Sequence, residues 1–423
     1  MSAKVPESAL FVYVTCQVGA EPALKNEVAR VCPALRFAFS RPGFLTFKLA
    51  PHASLPENWS DRLVFARAAG QCLGKVQGTT PENRARTVWE LLTPVPATEL
   101  HVWPRDRYTP GYRDYEPGLT AESQEIERFL LSQRPAVSTE SAPAEVQESP
   151  AGLRPAGAAD GTNPSVSETP LVADVIVVEP EEWWVGCHKL QTRVSRLPGG
   201  LSTAQLPETA VSRAWLKMEE AVNWSAFPLE AGQTVVEIGS APGGASQYLL
   251  SRGLKVIGVD PAEMAPAVLA DPQFRHIRKR SKEVPRSEFI GVDWLTCDVN
   301  LPPNYTLDTV KAIVAHPGVR FKGLLLTLKL VEWSLADEIP KFLSRIRSWG
   351  FRDVTARQLH HNRQEICVAA TGFKAPKPHP PSGAGARRPS ASKSKTRSTG
   401  KPGSRPGKPR AGRPRPAKPK PQD

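Results

Sequence analysis

Two hydrophobic periods alternate along the chain and divide it into segments. Between residues 201 and 373, short apolar runs alternate with stretches of helical spacing, the order of a doubly wound α/β sheet. The runs are "TVVEIG", "KVIGVD", "DWLTCD", "GLLLTLKL", "RDVTARQL" and "EICVAATG". Only "HHNRQ" separates the last two, which is too short for a crossover helix. They are therefore expected to pair antiparallel and close one edge of the sheet.

The preceding residues read differently. Residues 1–78 give the strand "ALFVYVTC", the helix "AEPALKNEVARV", the strand "RFAFSRPGFLTFKL" and the helical piece "DRLVFARAAGQCL", a small α+β domain. Residues 79–200 give the helix "PENRARTVWELL", the strand "ATELHVWP" and the helix "TAESQEIERFLLS". A hairpin follows in "LVADVIVVEPEEWWVGCHKLQ", whose apolar residues alternate around an acidic turn. Between these elements, at about 134–170, lies a Pro/Ala/Ser/Glu-rich stretch with almost no large apolar residues. It cannot bury enough surface to fold and is expected to be a disordered insertion.

Composition narrows the class. A chain of 423 residues exceeds one ordinary core. No apolar run approaches a membrane span, and the first residues lack the basic start and small-residue cleavage site of a signal peptide. The six cysteines form no CxxC pair and have no neighbouring histidines, so neither a metal site nor a disulfide framework is expected. These features predict a reducing, cytoplasmic protein; a monomer is expected. The net charge of +13 belongs to the end of the chain. Residues 374–423 hold 15 Lys/Arg and one acid, which leaves 40 basic and 41 acidic side chains elsewhere. This Pro-rich basic tail is expected to be disordered and to add salt-dependent, sequence-independent affinity for RNA, or to serve solubility or localisation.

The candidate chemistry lies in "TVVEIGSAPGGASQYLLSRGLKVIGVD". Gly239, Gly243 and Gly244 do not have the spacing of a dinucleotide loop, and no Gly-Lys-Ser/Thr follows to hold a triphosphate. Asp260 closes the next strand, where an acid accepts hydrogen bonds from ribose hydroxyls. A ribose without a phosphate anchor suits S-adenosylmethionine, whose charge is positive. A tight strand-to-helix turn without any ligand would use the same glycines.

The loop "EIGSAPGG" resembles the "DLGAAPGG" loop of FtsJ-like RNA ribose methyltransferases, with Glu237 in place of the usual Asp. That family carries a Lys-Asp-Lys-Glu tetrad. Lys217 in "SRAWLKMEEA", Asp298 in "DWLTCD", Lys329 in "LLLTLKL" and Glu365 in "NRQEICVAATG" match it in order. Within the family, "SRAWLKMEEA", "LTLKL" and "ARQLHHNRQE" are most similar to the ribosomal large-subunit RNA methyltransferase M group. The resemblance is strong over 205–373 and weak before it.

The resemblance implies a ferredoxin-like region in 1–78, a THUMP-like RNA-binding domain in 79–200 and a Rossmann-like methyltransferase domain in 201–373. It implies S-adenosylmethionine as cofactor, held by Gly239, Ser240, Pro242, Gly243, Gly244, Asp260 and Asp298. It also implies 2′-O-methylation of a cytidine of 23S ribosomal RNA, naked or in a large-subunit assembly intermediate. The insertion and the tail depart from the family pattern.

Each tetrad residue also has a plainer reading. Methylating a ribose hydroxyl needs a base, and a lysine serves if burial and neighbouring cations lower its pKa. Lys329 ends an apolar strand at the ligand edge of the sheet, yet a lysine also ends a strand merely to reach solvent. Lys217 shares a helix stripe with Arg213 and Glu220, opposite the apolar Val211, Trp215, Met218 and Val222. That stripe ordinarily faces solvent. Asp298 is placed to orient the base and face the sulfonium, or to cap a turn. Glu365 alternates with Ile366 and Val368, as a charge protecting an edge strand would.

Arg213, His360, His361 and Arg363 are candidate RNA-phosphate contacts or ordinary surface charge. Two other chemistries stay open. "DVNLPPNY" is an interrupted form of the Asn/Asp-Pro-Pro-Tyr motif of base amino-group methyltransferases, and Cys297 is the placed candidate for a cytosine-C5 nucleophile. A non-catalytic RNA-binding protein is the remaining alternative.

Overall fold

The computed structural model describes residues 10–56, 58–135, 170–192 and 194–374. Residues 136–169 and 375–423 lie outside this set, and with them the expectations for the insertion and the basic tail.

The N-terminal half builds a single sheet. β1 (Phe11–Thr15) leads through α1 (Glu21–Val31) into β2 (Leu35–Arg41) and β3 (Phe44–Leu49). "RFAFSRPGFLTFKL" is thus two strands rather than one, folded back where Gly43 takes φ +74°. The helical reading of "DRLVFARAAGQCL" is corrected. Only Trp59–Arg62 makes a 3₁₀ turn, and Ala68–Gln77 is strand β4. Leu63 to Ala66 form a continuous buried run rather than one helical face, and Gly70 and Gly74 disfavour a helix. The flanking strands supply backbone partners instead.

α2 (Pro81–Leu92) begins at Thr80, whose hydroxyl accepts the Asn83 N–H at 3.2 Å. β5 (Ala97–Pro104) and α3 (Ala121–Ser132) follow. β6 (Leu171–Glu179) and β7 (Glu182–Lys189) form the expected hairpin. The strand order is β2-β3-β1-β4-β7-β6-β5, antiparallel throughout except for the β5–β6 pair. The boundary expected near residue 78 therefore falls at the end of β4, within one continuous sheet.

A buried polar residue sits at the middle of this sheet. The Tyr13 hydroxyl donates to Asp174 at 2.5 Å, and His188 Nδ1 lies 2.7 Å from the same carboxylate oxygen. Room for the Tyr13 ring comes from two glycines. A Cβ at Gly70 would meet the Cys187 carbonyl at 2.4 Å and the ring at 2.8 Å; one at Gly186 would meet the Gln71 carbonyl at 2.4 Å and the ring at 2.7 Å.

The second sheet follows α4 (Ala214–Ser225). It comprises β8 (Thr234–Ile238), α5 (Gly244–Ser251), β9 (Lys255–Val259), α6 (Pro266–Leu269), β10 (Phe274–Ile277), β11 (Trp294–Cys297), α7 (Pro303–Val314), β12 (Gly323–Lys329), α8 (Ile339–Arg347), β13 (Phe351–Arg357) and β14 (Glu365–Phe373). The order is β10-β9-β8-β11-β12-β14-β13. β10 to β12 run parallel, and β14 inserts antiparallel between β12 and β13. The expected antiparallel closure is present. β10 escaped the pattern reading because "FRHI" is only four residues long and half polar.

The two halves share a core. Leu24 and Val28 of α1, Phe65, and Leu326 and Leu328 of β12 belong to one buried cluster. The Phe65 and Trp333 rings lie 6.1 Å apart across the junction. Among the described residues no helix is long and apolar enough to cross a membrane. All six cysteines are free thiols.

The Tyr13 pocket gives the first prediction. Gly186→Ala forces a methyl group into backbone and ring atoms and should cost about 1–3 kcal/mol, as overpacked cores do. Urea unfolding would show it as a lowered midpoint at unchanged slope; an unshifted midpoint would mean the sheet yields freely there.

Candidate active site

In an open α/β sheet, ligands bind beyond the carboxyl ends of the strands where the strand order reverses. Here that point lies between β8 and β11. The glycine loop leaves β8 there, and its glycines solve packing problems. A Cβ at Gly239 (φ +83°) would lie 2.5 Å from the Asp298 carbonyl, so Gly239 lets the ends of β8 and β11 meet. A Cβ at Gly244 would lie 2.2 Å from Ser212 Oγ, so Gly244 lets the entry to α4 reach the start of α5. Gly243 packs against Met264 and Val268.

Two cavities open at this edge, and Gly239 borders both. The larger, about 440 Å³, is lined by Asp260, Val259, Arg280, Lys282 and Tyr305. The Asp260 carboxylate accepts the N–H groups of Ala262 at 2.8 Å and Ala241 at 3.2 Å, which ties the glycine loop to the end of β9. The smaller cavity, about 230 Å³, is lined by Ser240, Glu237, Asp298, Lys217, Lys329 and Asn362 among others. Pro242, Gly243 and Gly244 are not among the residues lining either cavity. They shape the loop behind the cavities. A further cavity of about 460 Å³ lies away from this edge, beside Arg67, His188 and Arg357, so size alone does not select the site.

Three of the charged residues expected as a tetrad, Lys217, Asp298 and Lys329, line the smaller cavity, and the buried Glu365 joins them from behind. Sheet register brings two of them together, since Lys329 at the end of β12 pairs directly with Glu365 at the start of β14. The Lys329 ammonium contacts Glu365 Oε2 and lies 2.9 Å from Asp298 Oδ1. The Lys217 ammonium, arriving from α4, contacts Glu365 Oε1 and lies 3.7 Å from Asp298 Oδ2. Asn362 donates to Glu365 Oε1 at 3.4 Å.

Two cations and two carboxylates thus form a closed ring. Glu365 is 4% exposed. Burial alone would raise its carboxyl, yet Lys217 and Lys329 hold it below the usual range. Lys329 departs from expectation. Burial lowers its pKa, but Asp298 and Glu365 outweigh burial and raise it. Its nearest neighbours in the free protein are carboxylates, so Lys329 carries its proton there.

Glu237 is the third acid at the cavity. Burial first, then Asp298 and Asp260, push it up to about 8, against the lowering effect of the Ser246 hydroxyl. That hydroxyl donates to Glu237 at 2.5 Å.

The stripe of α4 read as solvated turns inward instead. Lys217 enters the ring, and Glu220, one turn on, accepts the N–H groups of His360 at 2.7 Å and His361 at 2.8 Å. Burial pushes Glu220 up to about 7, and the two N–H groups oppose it. Glu220 thereby clamps the β13–β14 turn that carries Asn362 and Glu365. Pattern reading missed this role, although its spacing of three from Lys217 put both on one face. Arg213 alone on that stripe stays exposed, as a bidentate pair with Glu116 at 2.7 and 2.8 Å.

His360 is corrected as an RNA contact. It is buried, with Nδ1 accepting the Ser202 N–H at 2.9 Å and Nε2 donating to the Pro117 carbonyl at 2.7 Å. Burial first, then neighbouring Arg67, push it down to about 3. His361 is pushed down to about 4 by burial and then Arg213.

Residues 210–342 match the family described as FtsJ-like methyltransferase. The similarity to this family is confined to that stretch. The matched stretch contains Lys217, Asp298 and Lys329; Glu365 lies beyond it and joins them through strand register. Proteins named Ribosomal RNA large subunit methyltransferase M are similar to the chain. The one from Halorhodospira halophila is 34% identical over 180 residues, 41% of this chain and 50% of that protein. That from Alkalilimnicola ehrlichii is 32% identical over 185 residues, 41% of this chain and 49% of that protein. That from Hahella chejuensis is 30% identical over 187 residues, 42% of this chain and 47% of that protein. The chain therefore spans about half the length of these relatives.

FtsJ-like methyltransferases use S-adenosylmethionine. The cavity residues fit that group. Asp260 is placed for a ribose, and Asp298 with Glu237 for a positive charge, at a backbone opened by Gly239. The rival chemistries fit less well. The Cys297 thiol is buried and pushed far up by burial, then Asp298 and Glu237, so it is no thiolate nucleophile. In "DVNLPPNY", Pro302 and Pro303 are the cap and first residue of α7.

The Glu220 clamp is testable by hydrogen exchange. Glu220→Ala leaves two N–H groups without acceptors, so the His360 and His361 amides should exchange about tenfold faster or more. Amides of β8 should be unaffected. Unchanged protection at His360 and His361 would remove Glu220 from the clamp.

Proposed function

We propose that the chain is an S-adenosylmethionine-dependent RNA ribose 2′-O-methyltransferase acting on large-subunit ribosomal RNA. The observation that carries this reading is the closed ring of Lys217, Asp298, Lys329 and Glu365 beside the glycine loop. The names of the similar proteins support the RNA substrate.

Gly239, Ser240 and Asp260 would hold the adenosine part of the cofactor, and Asp298 and Glu237 its positive end. When bound, S-adenosylmethionine supplies a methyl group made electrophilic by the sulfonium. Lys329 is the base. Its amine, once neutral, takes the proton of the ribose 2′-hydroxyl as the oxygen gains its bond to the methyl carbon. In the free protein Lys329 is protonated, so it must first release that proton. Asp298 assists by dividing its negative charge between Lys329 and a bound cation, which weakens its hold on the lysine proton. Glu365 keeps the Lys329 stem aligned, and Lys217 neutralises Glu365 so that the carboxylate does not hold the base alone.

The same reading assigns the N-terminal sheet to RNA capture, with ferredoxin-like and THUMP-like parts in 1–78 and 79–200. It assigns a cytidine of 23S ribosomal RNA as the target, in a cytoplasmic, monomeric enzyme that needs no metal. The basic tail would add ionic affinity for RNA.

Nucleoside mass spectrometry of ribosomal RNA tests the reading, from cells with the gene, without it, and with Lys329→Ala. One 2′-O-methylated nucleoside should vanish in both the deletion and the variant. A profile unchanged by the deletion would refute the assigned activity. Loss of a methylated base would move it to amino-group chemistry.

In vitro, Lys329→Ala should lower kcat by about 10²–10⁴, the range of general-base catalysis. Because Lys329 starts protonated with a raised pKa, wild-type kcat should climb with pH across the neutral range, and the variant should lose that slope. A flat wild-type profile would count against Lys329 as base.

Cofactor binding should carry its own pH signature. Glu237 holds its proton up to about 8 in the free site, and a cation beside it favours the ionised form. Binding at pH 7 should therefore release a proton, seen in calorimetry as a dependence on buffer ionisation heat. Glu237→Gln should abolish the release.

A further inference from the structure

The segment between β5 and α3, "RDRYTPGYRDYEPG", joins the N-terminal sheet to the rim of the candidate active site. Its root is buried and rigid. Arg105 donates to the Val178 carbonyl at 2.7 Å, and Asp106 pairs with Arg67 at 2.7 Å. At the other end the buried Pro117 carbonyl accepts the His360 ring N–H at 2.7 Å. Between these anchors the Gly111 N–H donates to the Tyr115 carbonyl at 2.7 Å. Arg113 and Asp114 take positive φ of 49° and 59°, a conformation that side chains rarely adopt and that a fixed loop must impose.

The tip exposes what the root does not. Tyr108 is 53% exposed and Tyr112 49% exposed. Their ring centroids are 5.7 Å apart, and Tyr115 lies 5.7 Å from Tyr108. The Arg113 guanidinium stands 5.3 Å over the Tyr112 ring, without a carboxylate within ion-pair distance among the described residues. Exposed aromatic rings beside the Arg113 guanidinium make poor solvent surface but a good surface for unpaired bases. Every base has a face that stacks on tyrosine, and arginine meets the adjoining phosphate.

The position of the tip ties it to the tetrad. Glu116 holds Arg213, one turn before Lys217 in α4. Gly111 lies against the Arg363 guanidinium, close enough that a Cβ would be 2.7 Å from Nη2, and Arg363 precedes Glu365 by two residues. A Cβ at Gly19 would touch both Thr109 and Trp333, and Trp333 follows Lys329 by four residues. Two contacts thus fix the loop beside the chain segments that carry Lys217 and Glu365, and Gly19 lies between the loop and Trp333.

We infer that Tyr108 and Tyr112 form a stacking platform for an unpaired base of the RNA strand beside the nucleotide to be methylated. This rests on the reading of the site as an RNA ribose methyltransferase. The platform selects single-stranded or looped RNA over duplex, because paired bases present no free face to it. It also sets the distance between the held base and the base-catalysing Lys329, since its root cannot slide.

The test is binding by full-length protein to a fluorescent single-stranded RNA of about 12 nucleotides and to a duplex of the same length. Salt is raised until purely ionic binding is suppressed. Wild type is compared with Tyr108→Ala/Tyr112→Ala and with Tyr108→Phe/Tyr112→Phe. The alanine pair should bind the single strand about tenfold more weakly or worse. The phenylalanine pair should stay near wild type, and S-adenosylmethionine binding should be equal in all three. Equal single-strand affinity in wild type and the alanine pair overturns the platform and leaves the methyltransferase reading standing. A preference of wild type for the duplex also overturns it. Absence of any RNA binding by wild type overturns both the platform and the RNA substrate.

Discussion

The carboxylate of Glu365, almost wholly buried and shared by two lysines, is the interaction on which the candidate site depends. An isolated charge at that depth would neutralise itself by taking a proton. Lys217 and Lys329 make ionisation tolerable, and Glu365 in turn draws two ammonium groups that would otherwise repel each other. Asp298 closes the ring from the opposite side. None of these four side chains has a low-energy position without the others. The site is therefore cooperative in the sense of a buried ionic network: removing one member leaves its neighbours mispaired rather than merely fewer.

Such a ring demands that strand, helix and turn arrive in fixed positions, and the rest of the fold meets that demand. The pairing of Lys329 with Glu365 is a matter of register between β12 and β14. The position of Lys217 is a matter of how α4 seats, and Gly244 admits Ser212, two residues ahead of that helix. Glu220 holds the β13–β14 turn to the same helix through two backbone N–H groups. His360 extends the tie to Ser202 and to Pro117 in the N-terminal half. The N-terminal sheet is thus fastened to the turn that presents Glu365, and a common apolar core runs beneath both.

Much of this was legible in the sequence, for identifiable reasons. The strands of the second sheet announce themselves as apolar runs, and the short "HHNRQ" link forces the last two to be antiparallel. Asp298, Lys329 and Glu365 stand out because each ends or begins an apolar run. What could not be read was convergence. Lys217 looks solvated because its partner Glu365 lies 148 positions away, and no local pattern marks that distance. The proton on Lys329 was misjudged for the same reason, since its carboxylate neighbours come from other strands. β4 was misread because the buried run Leu63–Ala66 leads straight into it and its own small residues mimic a helix. The clustered tyrosines of the "RDRYTPGYRDYEPG" loop carry no periodicity at all.

The placement of β14 bears on how the protein is made. This strand is not added at the edge of its sheet but slid between two strands synthesised before it. Until it emerges from the ribosome, β12 and β13 have no partner in common, and two lysines face Asp298 with one acid too few. Closure of the ionic ring and completion of the sheet therefore arrive in the same event, as β14 is synthesised. A nascent chain, or one clipped before β14, would hold an unbalanced charge cluster in place of the closed ring.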